Sequence, residues 1–196
     1  MEKNSNSGLN KPIYMYLTIN EHIEPLDRGD CYEDPLDEAL VEKKYGETTG
    51  GGTMQTGSEF LGKEEKMIEY AGIDVELTDI EHGIPFVIET LEIIGAPRGS
   101  KLQYILDDKE IEIFFGTHEG IAAYFSPMTS DDDWDYMKKI LERHPDIRIY
   151  ARYWEGSGTE MFALYGPSKN VLQEVIDDFS KTRLLEDKIR IEQLTP

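Results

Sequence analysis

The sequence has little cysteine, few basic residues and no long apolar run, and each shortage excludes a class of protein. Cys31 is the only cysteine among the 196 residues, so no disulfide can form within the chain. No stretch offers the roughly 20 successive apolar residues of a membrane span, and residues 1–11 contain no apolar signal-peptide core. We therefore expect a cytoplasmic protein without a membrane partner.

Basic residues are outnumbered two to one. The chain carries 40 Asp and Glu against 20 Lys and Arg, a formal net charge of −20. Phosphate contacts are made by clustered Lys and Arg, so direct binding to nucleic acid is not expected. Hydrophobic residues make up 39% of the chain and aromatic residues 10%, which is enough for a packed core. A folded chain this acidic is strongly solubilised or complementary to a basic partner, and we expect the acids to form a binding surface.

The hydrophobic pattern alternates between the periods of strands and helices. Residues 13–19 alternate apolar and polar side chains, which indicates a half-buried strand, whereas residues 80–94 repeat at helical spacing and end at Gly95. Asp34 followed by Pro35 predicts the start of an earlier helix that runs toward Gly46. Further strands are predicted at 47–55, 67–79, 102–106, 111–115, 121–125, 146–155, 159–165 and 188–192, with helices at 131–143 and 169–181.

The order of these elements predicts an α+β protein of two tandem ferredoxin-like units. Each unit has the order βαββαβ, an antiparallel sheet and helices on one face of that sheet. We predict a disordered N-terminal tail at 1–11, a first unit at 12–116 that includes one extra strand, and a second unit at 117–196. No residue-level repeat is visible, so the duplication is one of element order.

Two segments match known motifs in part, and each lacks a residue that its motif requires. The segment from Gly57 to Lys63 fits the start of a phosphate-binding loop, but Glu64 replaces the Ser or Thr that would hold magnesium, and a strand is predicted to follow. Asp131, Asp133, Asp135 and Glu142 have the spacing of an EF-hand calcium loop, but Tyr136 occupies the position that needs glycine. An acidic first helical turn explains these aspartates better.

No other pattern predicts catalysis or a cofactor. The four histidines lack paired metal-ligand spacing, with His118 and Glu119 as a lone dyad, and the chain has no nucleophile-elbow sequence. Gly50 to Gly52 is typical of a bulge or a mobile loop. Cys31, beside Asp30 and Glu33, is expected to be an unreactive thiol. We therefore predict no catalytic residue, no metal site and no cofactor.

The candidate binding residues lie in a run of nine acids opposed only by Arg28 between residues 21 and 42. Charges in such a run supply steering and specificity, while Leu26, Tyr32 and Tyr45 are candidate apolar anchors. A solvated loop and helix face is an equally good interpretation. The predicted partner-binding residues are Glu24, Asp27, Asp30, Tyr32, Glu33, Asp34, Asp37 and Glu38.

A second candidate surface lies on the strand before Gly156. If Ile147, Ile149 and Ala151 face the core, the opposite face carries Arg148, Tyr150, Arg152 and Trp154. These aromatic and guanidinium groups suit a partner contact. Burial between the two units is the alternative, and we favour it because tandem sheets each have a face to cover.

Four segments support a resemblance to known proteins. They are residues 50–53 (GGGT), 91–100 (LEIIGAPRGS), 119–122 (EGIA) and 153–156 (YWEG). They resemble a little-characterised group of small acidic bacterial proteins of toxin-immunity type. The resemblance implies an immunity function but supplies no functional residue.

These observations lead to one main functional hypothesis and two rivals. The main hypothesis is a non-enzymatic immunity protein that occludes a basic toxin domain with its acidic surface. The first rival is an enzyme or small-ligand sensor with a cleft between the repeats. The second is a structural subunit whose acidity only keeps it soluble.

Overall fold

The computed structural model describes residues 11–60, 63–125, 131–154, 159–183 and 189–196, and their side chains except at 56–60, 63–67, 131–133, 151–154, 159 and 182–183. The predicted tail lies outside the described residues apart from Lys11. Within the described part of the chain, no helix is both long enough and apolar enough to cross a bilayer.

The first half of the chain forms a five-stranded antiparallel sheet. Its strand order is β2-β3-β1-β4-β5, and the first four strands with their helices have the ferredoxin-like βαββαβ topology. In chain order its elements are β1 (Ile13–Ile19), α1 (Pro25–Arg28), a π-helix (Gly29–Glu33), α2 (Asp34–Lys43), β2 (Gly46–Phe60), β3 (Lys63–Leu77), α3 (Ile80–Ile94), β4 (Ser100–Leu106) and β5 (Lys109–Phe115).

The second half repeats this topology with a four-stranded sheet of order β7-β8-β6-β9. The predicted fold class, two tandem ferredoxin-like units, is confirmed by these two strand orders. The change of sheet falls between Phe115 and Glu119, and the division of the chain into units at 12–116 and 117–196 stays a prediction. The elements are β6 (Glu119–Phe125), α4 (Asp131–Leu141), β7 (Arg148–Trp154), β8 (Thr159–Gly166), α5 (Lys169–Arg183) and β9 (Arg190–Gln193).

Each sheet packs its helices on one face and builds a separate core there. In the first unit, Leu17 and Ile73 of the sheet meet Leu40 of α2 and Leu91 of α3. In the second unit, the core combines strand residues such as Phe162 with residues of α4 and α5 such as Phe179. The alternate residues of each strand therefore point to the face without helices.

The two faces without helices differ in exposure. On the second sheet the centre of that face is buried and contains Ala122, Met161, Ala163 and Tyr165, whereas Arg190 and Glu192 of the edge strand β9 are exposed. On the first sheet that face exposes Tyr14, Tyr16, Ile105 and Phe114 to solvent. Burial of the helix-free face is therefore more extensive on the second sheet.

The first helical segment begins earlier than predicted. The sequence analysis placed its start at Asp34, but the chain is already helical at Pro25 and passes through a π-helix into α2. The segment ends before the predicted Gly46, at Lys44, which has a φ of 59°. Helix α3 is bounded as predicted, because the Asp79 carboxylate accepts a hydrogen bond from the His82 backbone and Gly95 ends the helix at a φ of 96°.

Candidate functional site

Six acidic side chains form a ridge along the outer surface of the helical segment. Their spacing of three or four residues places them on one side of successive helical turns. All six are exposed, and none of them forms an ion pair with another residue that the structure describes. We call this set the acidic ridge: Glu24, Asp27, Asp30, Asp34, Glu38 and Glu42.

The structure assigns the other two predicted acids to internal contacts. The Glu33 carboxylate accepts a hydrogen bond from Arg28 Nε at 3.1 Å, and Arg28 also reaches Thr53 on β2. Asp37 accepts hydrogen bonds from the backbone nitrogen of Thr48 at 2.8 Å and from its hydroxyl at 3.0 Å. The Asp37 carboxylate thus attaches the helical segment to β2 directly and Glu33 does so through Arg28, while their role as partner-binding residues stays a prediction.

Glycine at position 51 makes the first of these contacts possible. A Cβ atom there would lie 2.0 Å from Glu33 Oε1 and 2.5 Å from the carbonyl oxygen of Gly72. The predicted glycine-rich bulge is present, since the β2 register shifts between Thr48 and Gly50. The glycines thus leave space for the side chains that attach the helical segment.

Tyr32 was predicted as a surface anchor, and this prediction is wrong. The π-helix turns its side chain inward, where it is completely buried. Its hydroxyl donates a hydrogen bond to the Glu21 carboxylate. Tyr45 also packs against the first core and stacks on His82, so of the three candidate anchors only Leu26, which is 85% exposed, is available to a partner.

Glu21 is the centre of a buried polar cluster between the two units. It is 0% exposed and lies just after β1, whereas its partner Arg148 comes from β7 of the second unit. Arg148 Nε lies 2.7 Å from Glu21 Oε1, and Nη2 lies 2.9 Å from Oε2, which is a bidentate ion pair. Arg148 Nη2 also donates to the Tyr32 hydroxyl at 2.6 Å.

Backbone acceptors complete the arginine site. Arg148 donates to the carbonyl oxygens of Ile94 at 3.2 Å and Gly95 at 2.7 Å, at the end of α3. Carbonyls at a helix C-terminus carry partial negative charge and favour a cation. Arg148 therefore joins the second unit to three parts of the first: the end of β1, the π-helix and the end of α3.

Two further tyrosines surround the cluster from the second unit. Tyr150 interacts with Glu21 through its hydroxyl and packs against the first core. The Tyr165 hydroxyl accepts a hydrogen bond from the His22 backbone nitrogen at 3.2 Å and lies 3.0 Å from His22 Nδ1. Of the second candidate surface, Arg148 and Tyr150 are thus partly buried and lie between the units, which agrees with the alternative that the sequence analysis favoured. The side chains of Arg152 and Trp154 lie outside the described residues.

The electrostatics of this cluster oppose nucleophilic chemistry. Burial and the nearby Glu21 charge raise the pKa of Tyr32, Tyr150 and Tyr165, so these phenols remain protonated donors. Burial disfavours the charge on Arg148, but the Glu21 carboxylate outweighs it and raises the pKa of the guanidinium. Burial also raises the pKa of the Cys31 thiol, in agreement with the predicted unreactive cysteine.

The rejected motifs have structural explanations. Residues 57–60 continue β2 and Lys63 begins β3, so the partial phosphate-loop sequence lies in a hairpin and opens no helix. Asp135 lies within α4 and pairs with Lys138, whereas the side chains of Asp131 and Asp133 lie outside the described residues. Glu119 pairs with Arg98 and accepts a hydrogen bond from the backbone of Lys169. Among the described residues, no group of three or more potential ligands could hold a metal ion.

Sequence reasoning missed the centre of the cluster. Glu21 was counted in the acidic run and was not distinguished from its other members, because a charged residue in such a run gives no local sign of burial. The sequence pattern that could reveal this contact lies at its partner, Arg148. Arg148 alternates with core isoleucines on a strand, which placed it on the face between the units.

Comparison with known proteins supplies no family. No protein-family model matches the chain, and no curated protein matches it. Among solved structures, the chain is similar to an unknown protein from Galdieria sulphuraria, with 13% identity and a TM-score of 0.28 over 93% of this chain and 99% of that one. It is also similar to the first two RRM domains of yeast poly(U) binding protein, with 8% identity and a TM-score of 0.27 over 93% and 99% of the two chains. A third structure, protein BT0572 from Bacteroides thetaiotaomicron, has 9% identity and a TM-score of 0.23 over 93% and 92%. At these TM-scores the similarities carry no argument about function.

Proposed function

We propose that the protein is a non-enzymatic binding protein whose acidic ridge engages a basic protein. The observation that carries the proposal is the alignment of six exposed carboxylates on one side of a single helical segment. In the more specific form of the proposal, the partner is a bacterial toxin domain, and the protein acts as an immunity protein by covering its active site.

The aligned carboxylates of the acidic ridge destabilise the helix that carries them. Asp34, Glu38 and Glu42 are four residues apart, and like charges at this spacing destabilise a helix by about 0.2–0.5 kcal/mol per pair. Solubility alone needs no such alignment, because dispersed carboxylates repel one another less. The arrangement therefore supports a role in recognition over a role in solubility.

An apolar anchor accompanies the charges. Leu26 is 85% exposed and lies between the ridge residues Glu24 and Asp27. Apolar contacts supply binding energy, while charges chiefly accelerate association and exclude wrong partners. The pairing of an exposed leucine with an acidic ridge fits a protein partner better than a small ion.

The ridge is also held rigidly. Arg28, Glu33 and Asp37 attach its helix to β2, and the buried Tyr32 attaches it to Arg148 of the second unit. A surface ordered before binding loses less conformational entropy when the partner docks. The second unit therefore contributes to recognition by fixing the position of the ridge.

The rival proposal of an enzyme or ligand sensor with a cleft between the repeats has weaker support. Where the described residues of the two units meet, Glu21 and Arg148 are bonded to each other and to Tyr32 and Tyr150, and the Tyr165 hydroxyl is bonded to His22. These groups complete each other's hydrogen bonds and leave few polar atoms to receive a ligand. A thermal-shift screen with metabolites and metals tests this rival, because it predicts stabilisation without a protein partner.

The direct test is capture of partners from the cells that produce the protein, at low and high salt. The wild-type bait is compared with a ridge variant, Asp34→Asn, Glu38→Gln and Glu42→Gln. A control variant makes the same change in charge at exposed acids of the second unit: Glu142→Gln, Asp146→Asn and Glu174→Gln. Asp37 is left unchanged because its carboxylate bonds Thr48.

We expect the wild type and the control variant to recover a basic protein at low salt, and the ridge variant to lose it. High salt should weaken the capture, because it screens exposed charges. Equal recovery by the ridge variant, or capture of no basic protein at any salt concentration, would refute the proposal. Inhibition of the captured protein's activity then distinguishes immunity from simple binding.

A further inference from the structure

The uncovered face of the first sheet combines aromatic and acidic side chains. Tyr14 is 65% exposed, and Tyr16, Ile105 and Phe114 are also exposed. Together they form an exposed apolar area on the side of the sheet opposite the helices. Monomeric proteins rarely leave such an area without a binding role.

Carboxylates alternate with these rings across the strands. The strand register places Glu76 opposite Tyr14, Asp74 opposite Tyr16, and Glu110 opposite Ile105. Glu112 lies on the same face and pairs with Lys101 at 2.9 Å. A groove of about 840 Å³ crosses this surface, lined by Tyr14, Tyr16, Asp74, Gln103, Ile105 and Glu110 among others.

The second unit shows how such a tyrosine binds a cation. The guanidinium of Arg190 lies over the Tyr124 ring at 4.1 Å from its centroid, and the Tyr124 hydroxyl donates to Glu192 at 3.0 Å. Arg190 also contacts Glu192 at 3.2 Å. Tyrosine, glutamate and arginine thus form a complete cation-binding set on the protein's own surface.

The first sheet has the same pairing of a tyrosine with a glutamate but lacks the arginine. The Tyr14 hydroxyl is hydrogen-bonded to the Glu76 carboxylate, which raises the pKa of the phenol. No described lysine or arginine lies over the Tyr14 ring, and its exposure leaves the ring face accessible. An arginine supplied from outside would complete the arrangement that Arg190 completes around Tyr124.

We propose that this face, which we call the tyrosine face, is a second binding surface for an extended protein segment that carries arginine side chains. In an extended segment alternate side chains point the same way, so several guanidinium groups can reach the sheet together. Their charge complements Asp74, Glu76 and Glu110, and their planar groups stack on Tyr14 and Tyr16. The proposal does not depend on the acidic ridge, which lies on the helical side of the same unit.

Charge argues against two other occupants. A second copy of the chain would bring the same carboxylates and a net charge of −20 against this face. A single-stranded nucleic acid can stack on aromatic rings, but its phosphates need clustered basic groups, and Lys11 at this groove lies among the carboxylates of Asp74 and Glu110.

The test uses a dye-labelled octapeptide of alternating Arg and Gly, with affinity measured by fluorescence anisotropy at about 0.3 M salt to screen long-range attraction. Tyr14→Leu with Tyr16→Leu removes two ring faces, keeps apolar side chains and leaves the net charge unchanged. Each exposed cation–π contact corresponds to roughly a two- to fivefold change in affinity. We therefore expect the double variant to bind about tenfold more weakly.

A pair of charge variants provides the matched control. Asp74→Asn with Glu110→Gln neutralises two acids of the tyrosine face, whereas Asp34→Asn with Glu38→Gln neutralises two acids of the ridge. The proposal predicts weaker peptide binding only for the first pair. It is overturned if the tyrosine variant binds like the wild type, or if both charge pairs weaken binding equally.

Two further readouts address the other occupants. Light scattering that shows a dimer lost in the Tyr14→Leu variant would assign the face to a second copy and overturn the proposal. Tighter binding of an oligouridylate than of the peptide at the same salt concentration would overturn it in favour of RNA.

Discussion

Replacing Arg148 by methionine tests the junction between the two units. The change keeps a long apolar stem but removes the guanidinium, leaving the completely buried Glu21 without a cation. Breaking a buried ion pair from one side costs roughly 3–5 kcal/mol, because the remaining charge stays desolvated. Arg148 is 19% exposed, and the hydroxyls of Tyr32 and Tyr150 still reach Glu21. We therefore expect a loss at the lower end, about 3 kcal/mol.

The assay is urea unfolding followed by tryptophan fluorescence and by far-ultraviolet circular dichroism. Both tryptophans, Trp134 and Trp154, belong to the second half of the chain, so fluorescence reports on that half and dichroism reports on the whole. For a protein of this size, a loss of about 3 kcal/mol lowers Tm by roughly 6–12 °C. Separation of the two unfolding curves in the variant would show that the ion pair couples the units.

A double-mutant cycle separates this charge effect from lost packing. Glu21→Gln combined with Arg148→Met leaves no buried charge, so the double variant should be more stable than Arg148→Met alone. The pair should show a coupling energy of about 1–3 kcal/mol. The reasoning is refuted if Arg148→Met unfolds within about 0.5 kcal/mol of the wild type, or if the two substitutions are additive.

Three further predictions follow from the same contacts. Burial lowers the pKa of His22 below its ordinary 6.5, so the unfolded chain binds the proton more tightly and the stability of the fold decreases as the pH falls below 6.5. His22→Gln should therefore flatten the dependence of Tm on pH below 6.5. An unchanged dependence would contradict the role of His22. Gly95→Ala should lower the free energy of unfolding in urea by at least about 1 kcal/mol, because Gly95 has a φ of 96° and the new Cβ would lie 2.3 Å from the His118 ring. An unchanged free energy of unfolding would contradict this strain. Glu38→Gln should raise stability by about 0.5 kcal/mol by removing repulsion from the ridge acids one turn away on each side; a lower Tm would show that the ridge is stabilised in another way.

Much of the fold could be predicted because its signals are local. From Ile13 to Leu17, strand β1 alternates more buried and exposed side chains as its sequence alternates, and α3 begins and ends at the cap residues that the sequence offers. The turn between β4 and β5 is formed by Asp107 and Asp108, a residue type that favours turns, and both residues have positive φ in the structure. Local periodicity and capping therefore determine where most elements lie.

The start of the first helical segment could not be predicted in this way. Residues 25–33 contain Gly29 and three acids, and they lack a repeated apolar stripe. Their helical state depends on tertiary contacts: Tyr32 is drawn into the interior by Glu21 and Arg148, and the intervening turn widens into a π-helix. Such a contact has no signature in local hydrophobic periodicity.

For the candidate site too, local features could be predicted from the sequence and tertiary contacts could not. The exposed members of the acidic run were identified from charge alone, since surface carboxylates need no partner. The burial of Glu21 and Tyr32 was not predicted, because the ion pair of Glu21 and Arg148 joins residues 127 positions apart. A single sequence shows which residues are charged, but the fold decides which of those charges meet.

The most direct test of the proposed function is carboxyl footprinting of the complex with the captured basic partner. Exposed carboxylates are labelled by carbodiimide coupling in the free protein and in the complex, and the labelled sites are quantified by mass spectrometry. The account predicts that Glu24, Asp34, Glu38 and Glu42 are protected in the complex, whereas Glu142 and Glu174 of the second unit label equally in both states. Equal labelling of the ridge in the free and bound protein would contradict the account.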